Sequence, residues 1–303
     1  MEARWPPLKL LITGASGLYG SKLAQLALAR GIEVYSSDIQ SLLVYGNFVK
    51  LDISEKELVE EAFKTIKPDV VVHAATLTDV DKCELNKALA WKVNVEGTKN
   101  IAEAAKGTNS FLIYISTDYV FSGEKGEYKE TDTPNPINYY GLTKLKAEEI
   151  VQTQAEYFIA RPSVIYGSTP AAGKVNFALW LIETLRKGER VKIVNDQWNT
   201  PTLNSNLAEM TLEVIERHLT GIYHLCGATR VSRLEFADLI AEVFGLDKSL
   251  IDSVLSSQFT WSAKRPMDSS LDTSKAQMTL THKPLEMHDA LKKLKFELSR
   301  KDA

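Results

Sequence analysis

A chain of 303 residues is long enough for about two domains or one large α/β unit, and 44% hydrophobic with 25% charged residues is an ordinary globular profile. A formal net charge of -3 leaves no surplus of Lys or Arg to neutralise a phosphate backbone, which argues against nucleic acid as a partner. The opening Met-Glu-Ala-Arg-Trp-Pro-Pro lacks an apolar signal core, no apolar run approaches the ~18 residues of a membrane span, and only Cys83 and Cys226 are present, so a cytoplasmic protein with free thiols and no membrane partner is expected.

Short β-branched apolar runs alternate with longer amphipathic stretches through the first half, the pattern of βαβ units and a parallel sheet. Strands are predicted over 8–13, 33–37, 48–51, 69–75, 111–116 and 157–161. Helices are predicted over 21–29, 54–66 and 84–106, the last as one long element. The second opens on Ser54 with Glu57 three residues on, a capping-box spacing, and closes before Pro68. Beyond Gly167 the alternation weakens, and helices over 175–187, 206–218, 233–244 and 285–294 suggest a smaller α+β region.

Gly14-Ala-Ser-Gly-Leu-Tyr-Gly20 follows the first strand and opens the first helix. In that place a dinucleotide pyrophosphate can rest on backbone N–H groups at a helix N-terminus, provided nothing larger than hydrogen blocks it. Gly14, Ser16, Gly17, Leu18, Tyr19 and Gly20 are therefore candidate cofactor residues, although G-x-x-G-x-x-G is one residue wider than the usual fingerprint. Asp38 ends the next strand, where a carboxylate accepts from the adenosine ribose hydroxyls and repels a 2′-phosphate. Ser37, Ile39 and Gln40 beside it supply no cation, so NAD(H) is expected, with NADP(H) as the other possibility. Asp52, with Ile53 next to it, is a weaker candidate for the adenine. The expected fold class is α/β, a doubly wound parallel sheet (Rossmann) with a smaller α+β C-terminal substrate domain. The dinucleotide-binding part covers 1–165 and the substrate part 166–303, with a segment around 200–225 returning to pack on the first.

Tyr140-Gly-Leu-Thr-Lys144 places a phenol and an ammonium four residues apart, on one face of a helix. A tyrosine with an ordinary pKa near ~10 needs such a positive neighbour to act as an acid–base group at neutral pH. Upstream, Tyr114-Ile-Ser-Thr-Asp-Tyr119 sets hydroxyls at the carboxyl end of a strand, where ligands of open parallel sheets bind. Thr117 is the expected donor to a substrate carbonyl, working with Tyr140 on the charge that develops. Tyr140 and Lys144 would also touch the cofactor.

In their order along the chain, these motifs resemble the extended short-chain dehydrogenases, and among them the dTDP-4-dehydrorhamnose reductase family. The resemblance also runs through His73-Ala-Ala-Thr-Leu-Thr-Asp-Val-Asp-Lys-Cys-Glu84, Val93-Asn-Val-Glu-Gly97, Arg161-Pro-Ser-Val-Ile-Tyr-Gly167, Asp196-Gln-Trp-Asn-Thr-Pro-Thr202 and Arg265-Pro-Met-Asp-Ser-Ser-Leu-Asp272. It implies a catalytic Thr117, Tyr140 and Lys144, cofactor contacts from Ala74, Ala75, Thr76, Pro162 and Val164, and a sugar-nucleotide substrate facing Thr78, Val80 and Tyr119. Gln197 and Arg265 are candidates for its nucleotide end, since a guanidinium forks onto diphosphate oxygens; an ion pair is the other reading of Arg265. Dehydratases of the superfamily carry an Asp-Glu pair where this chain has Asp118-Tyr119, which implies carbonyl reduction rather than water elimination. Val164 replaces the Trp common in the reductases, and Lys22 stands where some hold magnesium with a Glu, so no metal is expected. A homodimer is expected from the extended relatives. His73 is read as a packed polar residue, and Trp91, Trp180, Trp198 and Trp261 as core or pocket. The resemblance extends to the regulatory beta subunit of methionine adenosyltransferase, so a non-catalytic NAD(P)-sensing module is the second reading, and another sugar-nucleotide reductase or epimerase a third.

Overall fold

The computed structural model describes residues 8–42, 45–169 and 175–300, so the chain start read above lies outside the described residues. In chain order the first half runs β1 (Lys9–Thr13), α1 (Leu18–Ala29), β2 (Glu33–Asp38), β3 (Asn47–Lys50), α2 (Lys56–Ile66), β4 (Val70–His73), α3 (Val80–Leu85), α4 (Lys87–Trp91), α5 (Gly97–Thr108), β5 (Phe111–Ile115), α6 (Tyr139–Val151) and β6 (Tyr157–Ala160). The second half adds β7 (Ile165–Tyr166), α7 (Phe177–Arg186), β8 (Val191–Val194), β9 (Trp198–Asn199), β10 (Thr202–Leu203), α8 (Asn204–Arg217), β11 (Gly221–Tyr223), β12 (Val231–Ser232), α9 (Arg233–Phe244), β13 (Ile251–Val254), α10 (Ser274–Thr279) and α11 (Met287–Ser299).

Seven strands form one sheet in the order β11-β6-β5-β4-β1-β2-β3, and every neighbouring pair is parallel. β4 and β5 are buried at every residue because helices cover both faces, which is why, up to the polar His73 that ends β4, their sequences are apolar runs without alternation. The chain leaves β1 on one side and crosses to β4 on the other, so the carboxyl ends of these two strands border the crevice where open α/β sheets bind ligands. The segment around 200–225 returns to the sheet: α8 packs along α1, where Tyr19 donates to Thr211 Oγ1 at 2.8 Å, and β11 pairs with β6. A separate apolar cluster built from α7, α9 and α11 around Tyr166, Phe236 and Leu291 lies outside the two faces of the sheet.

Two local expectations are corrected. The 84–106 stretch is not one helix: Asn86 leaves helical geometry at φ -127°, ends α3, and caps α4 by accepting from Leu89 N–H at 3.1 Å. Residues 92–96 then form a π turn before α5. The apolar period runs through both interruptions, which hides a side chain that competes with the helix for its own backbone. Nor does Ser54 cap α2; its hydroxyl donates to Asp52 Oδ1 at 2.8 Å, and the helix starts two residues later after Glu55, without a side-chain cap.

Candidate active site

The glycine loop joins β1 to α1 at the crevice. Gly14 sits at φ +70°, and a Cβ there would come within 2.7 Å of Ala75 N, so both the backbone angle and the approach of the β4 end require glycine. Gly17 caps α1 without a side-chain bond, and the first turn carries no acidic residue, which leaves the helix N-terminus open to an anion. Gly20 allows α1 to pass close to the strand, since its Cβ would meet Gly14 O at 2.3 Å. A dinucleotide phosphate fits this cradle. Leu18 opens the helix and its carbonyl accepts from Asn204 at 2.9 Å. Tyr19 has its side chain buried against α8, which leaves its backbone to face the loop.

Asp38 closes β2 with Oδ2 accepting from Ser16 N–H at 3.1 Å and Oδ1 from Gln40 N–H at 3.3 Å. The carboxylate is thereby held against the loop. Its register partner on β3 is the exposed Lys50, a cation that counting sequence neighbours overlooks. Asp52 turns the chain by accepting from Ser54 N–H at 2.9 Å, and Ile53 is buried against Gly97. Beyond β4, Ala74, Ala75 and Thr76 are half-buried, with Ala75 N–H donating to Thr13 Oγ1 at 3.2 Å. Thr98 gives its hydroxyl hydrogen to Asn94 O at 2.7 Å, so it accepts from His73 Nε2–H at 3.0 Å, and Nδ1 accepts from Thr13 at 2.7 Å. Burial, assisted by the Lys144 charge, pushes this imidazole down to about 3, so His73 is neutral structure under the cofactor segment.

Asn138 starts the helix that carries the phenol and ammonium, its side chain accepting from Gly141 N–H at 2.8 Å. Tyr140 and Lys144 are both buried on α6. Burial raises the Tyr140 phenol well above its usual range, against a hydrogen bond with Thr117 that lowers it. Burial brings Lys144 down to about 7, opposed by the Glu148 carboxylate, so its positive charge is weaker than the sequence suggests. Lys144 Nζ donates to Ile115 O at 2.7 Å and lies 4.2 Å from the Tyr114 ring centroid.

Thr117 stands just beyond the end of β5. Its hydroxyl donates to Asp118 Oδ1 at 3.0 Å and accepts from Tyr119 N–H at 3.2 Å. Pro162 is buried and its carbonyl accepts from Asp118 N–H at 3.0 Å. Val164 sits at φ +39°, a left-handed angle rare for a β-branched residue, and its carbonyl accepts from Thr202 N–H at 3.2 Å.

Two residues without an assigned role in the sequence reading belong to this frame, Asn94 and Glu148. Asn94, buried in the π turn, accepts from Thr76 Oγ1 at 2.9 Å and Leu77 N–H at 2.8 Å and donates to Thr143 Oγ1 at 3.0 Å, joining the cofactor segment to α6. Glu148, four residues beyond Lys144, accepts from Arg161 at 2.9 and 2.6 Å and from Ser116 at 2.5 Å. The repeat Tyr140, Lys144, Glu148 was the available signal for the last of these.

Thr78 is exposed, while Val80 and Tyr119 pack beside Tyr140, the two tyrosine rings 6.0 Å apart edge to face. Tyr119 also lies within reach of the Arg233 charge, which favours its phenolate against burial, and Arg233 opens onto a cavity of about 310 Å³. Its walls hold Phe177, Trp180, Phe259 and Trp261 together with Lys192, Gln197, Arg233 and Arg265. Gln197 and Arg265 are thus brought together, Gln197 accepting from Arg233 at 3.2 Å. Arg265 also forms an ion pair, at 2.6 Å with Asp81, as its other reading expected. Trp180 and Trp261 line the cavity, Trp198 packs under Arg230 at 5.2 Å, and Trp91 is exposed. Lys22 pairs with Glu297 at 3.6 Å, and among the described residues no group of three metal-ligating side chains gathers.

Comparison with known proteins adds to this geometry. The family described as "RmlD substrate binding domain" matches residues 8–299. The chain is 33% identical to dTDP-4-dehydrorhamnose reductase of Aggregatibacter actinomycetemcomitans over 301 residues, covering 95% of this chain and 98% of the relative. It is 29% identical to methionine adenosyltransferase 2 subunit beta of Danio rerio, covering 91% and 86%. The crystal structure of dTDP-4-dehydrorhamnose reductase from Bacillus anthracis in complex with NADP superposes with a TM-score of 0.88 at 29% identity, covering 96% of this chain and 100% of that one.

Proposed function

The chain belongs to the RmlD substrate binding domain family, and from that premise we propose that it is an NAD(P)H-dependent oxidoreductase, a dTDP-4-dehydrorhamnose reductase that reduces the C4 carbonyl of a nucleotide-linked 4-keto-6-deoxy sugar. The observation that carries the reading is continuity: the Gly14 cradle meets the end of β4, Asn94 ties that segment to the helix of Tyr140, and Tyr119 packs from Tyr140 toward Arg233 in the wall of the cationic, aromatic cavity.

Bound NAD(P)H supplies the hydride. Tyr140 holds the matching proton on its phenol, kept there by burial, and delivers it to the oxygen that becomes an alkoxide. Lys144, where it is protonated, steadies the phenolate left behind. Asp118 is followed by Tyr119, so the second carboxylate used for water elimination is missing and reduction stops at the alcohol. Arg233 and Arg265 suit a diphosphate, and Trp261, stacked on Phe259 at 5.6 Å, suits a base. Division near residue 165, a homodimer and a cytoplasmic setting complete the proposal; among the described residues no helix is long and apolar enough to cross a membrane.

The test is oxidation of NADH and NADPH with a dTDP-4-keto-6-deoxy sugar, wild type against Tyr140→Phe. Turnover that falls ~10²-fold or more in the variant at unchanged cofactor affinity is expected. Tight cofactor binding with no turnover by the wild type overturns the enzyme reading and leaves the regulatory one.

A further inference from the structure

The short helix after the cofactor segment carries polar groups that carbonyl reduction has not used. α3 is six residues long, and its Val80 and Cys83 share one apolar cluster with Tyr140. Its polar groups run to three different places. Cys83 Sγ donates to Leu77 O at 3.4 Å, Glu84 Oε2 accepts from Tyr139 N–H at 2.9 Å, and Asp81 reaches a partner 184 residues away. There Asp81 Oδ1 accepts from Ala263 N–H at 2.9 Å and Oδ2 from Arg265 Nη2 at 2.6 Å, while Arg265 Nη1 donates to Ala263 O at 3.1 Å. Asn138 ties the same stretch a second time, donating to Lys264 O at 2.9 Å. Residues 263–265 are therefore fastened to the cap of α6 and, through α3, to the residue beside Tyr140. Arg265 in turn reaches the cavity: its guanidinium lies 5.6 Å from the Trp261 ring centroid, and both side chains line the wall.

We propose that Asp81 is a positioning residue: it holds Arg265 in the orientation that grips the substrate diphosphate and registers that grip against the helix of Tyr140, which sets the sugar carbonyl at the phenol. The inference rests on the sugar-nucleotide reading above. A free arginine loses rotamer freedom when it closes on a ligand, and a carboxylate that already holds it moves that loss from binding to folding. The contacts to Asp81 and Ala263 O take two of the five guanidinium N–H donors, so three can serve an anion. Charge and position act in opposite directions here. A carboxylate 2.6 Å from the guanidinium lowers the positive potential that a diphosphate meets, so removing its charge alone would tighten binding. Weaker binding on its removal is the signature of positioning.

Asp81→Asn tests the role. The amide keeps the size of the side chain and an oxygen for Ala263 N–H, but it turns an NH₂ toward a guanidinium that can only donate. The loop stays fastened and Arg265 is released. In the sugar assay above, kcat is expected to fall about tenfold and the sugar-nucleotide KM to rise about fivefold, with NAD(P)H Kd within about twofold. The second arm needs no sugar: calorimetric titration of dTDP into the cofactor-bound protein. The dTDP Kd is expected to rise about fivefold in Asp81→Asn, and less than about twofold when the same change is made in an Arg265→Gln background, because the carboxylate acts through that guanidinium. Tighter dTDP binding in Asp81→Asn makes Asp81 a brake on the cation, and equal losses in both backgrounds make it a clamp on the loop; either result overturns the proposal. The two failures are distinguishable. A wild type that reduces the sugar, with Asp81→Asn matching it in kcat and dTDP Kd, overturns this inference alone. A wild type that shows the expected dTDP pattern but turns over no sugar supports the grip on the diphosphate and overturns the reductase reading.

Discussion

Glu148→Leu should damage stability and catalysis by two separable routes. The carboxylate is fully buried and holds the buried Arg161 in a two-point pair at 2.9 and 2.6 Å, with Ser116 donating at 2.5 Å. Without it the guanidinium stays in the interior with the Phe121 ring at 5.1 Å and with an Nη1 that already lacks a hydrogen-bond partner. Breaking such a pair from one side costs about 3–5 kcal/mol, out of a total near ~5–15. At roughly 2–4 °C per kcal/mol for a large domain, Tm should fall by about 6–20 °C. The second route runs along α6: burial brings Lys144 down to about 7, and the Glu148 charge opposes that fall. Removing the charge lowers it further, so the ammonium is lost at lower pH and the alkaline limb of kcat moves toward acid. Glu148→Leu with Arg161→Met separates the two, since replacing both partners by apolar groups is near neutral for stability. Scanning calorimetry should show Tm largely recovered, while the pH–rate profile stays acid-shifted. A profile like the wild type's in the double variant would refute the electrostatic role, and a Tm loss below about 1 °C in the single variant would refute the burial argument.

Asp38→Ala should weaken NADH more than NADPH in fluorescence titration, with a smaller loss common to both because Ser16 N–H loses its acceptor at 3.1 Å; equal losses would mean that Asp38 does not choose between them. His73 and His224 are buried and neutral, each pushed down to about 3 by burial first. Their pKa is depressed below the unfolded ~6.5, so the unfolded chain binds more protons as pH falls, and each histidine costs about 2 kcal/mol between pH ~7 and ~5. Urea unfolding at the two values should therefore lose about 2 kcal/mol less in His224→Gln, and an unchanged difference would contradict the neutral assignment. Trp261→Ala should raise KM for the sugar nucleotide while leaving NAD(P)H affinity within about twofold; loss of cofactor binding instead would place Trp261 in the fold and not in the pocket.

What could be read in advance divides along sequence separation. The Gly14 loop is local chemistry, a turn whose residues must be small because β4 passes within 2.7 Å of a would-be Cβ, and short apolar runs bounded by turns located the main-sheet strands of the first half. Tyr140 and Lys144 lie within one helix turn of each other, so their shared face follows from helix geometry alone. Even local reasoning failed at Asn86, because a capping side chain leaves the apolar period intact while breaking the helix.

The buried partners of Asp118 could not be read, since two of its donors, Ser163 and Ser269, come 45 and 151 residues later. Arg265 is the same case, with its Asp81 partner 184 residues away. Polar pairing carries no period, so nothing at Asp118 or Asp81 marks its distant partner. Ser269 and Arg265 both lie on the 262–272 stretch, which also binds Asn138, the cap of the catalytic helix, through Lys264 O at 2.9 Å. One C-terminal stretch therefore touches the carboxylate beside Thr117, the start of α6 and a wall of the cavity. A substitution there that loosened the stretch should change kcat and the sugar-nucleotide KM together while sparing the cofactor cradle, which takes its geometry from β1, β2 and β4.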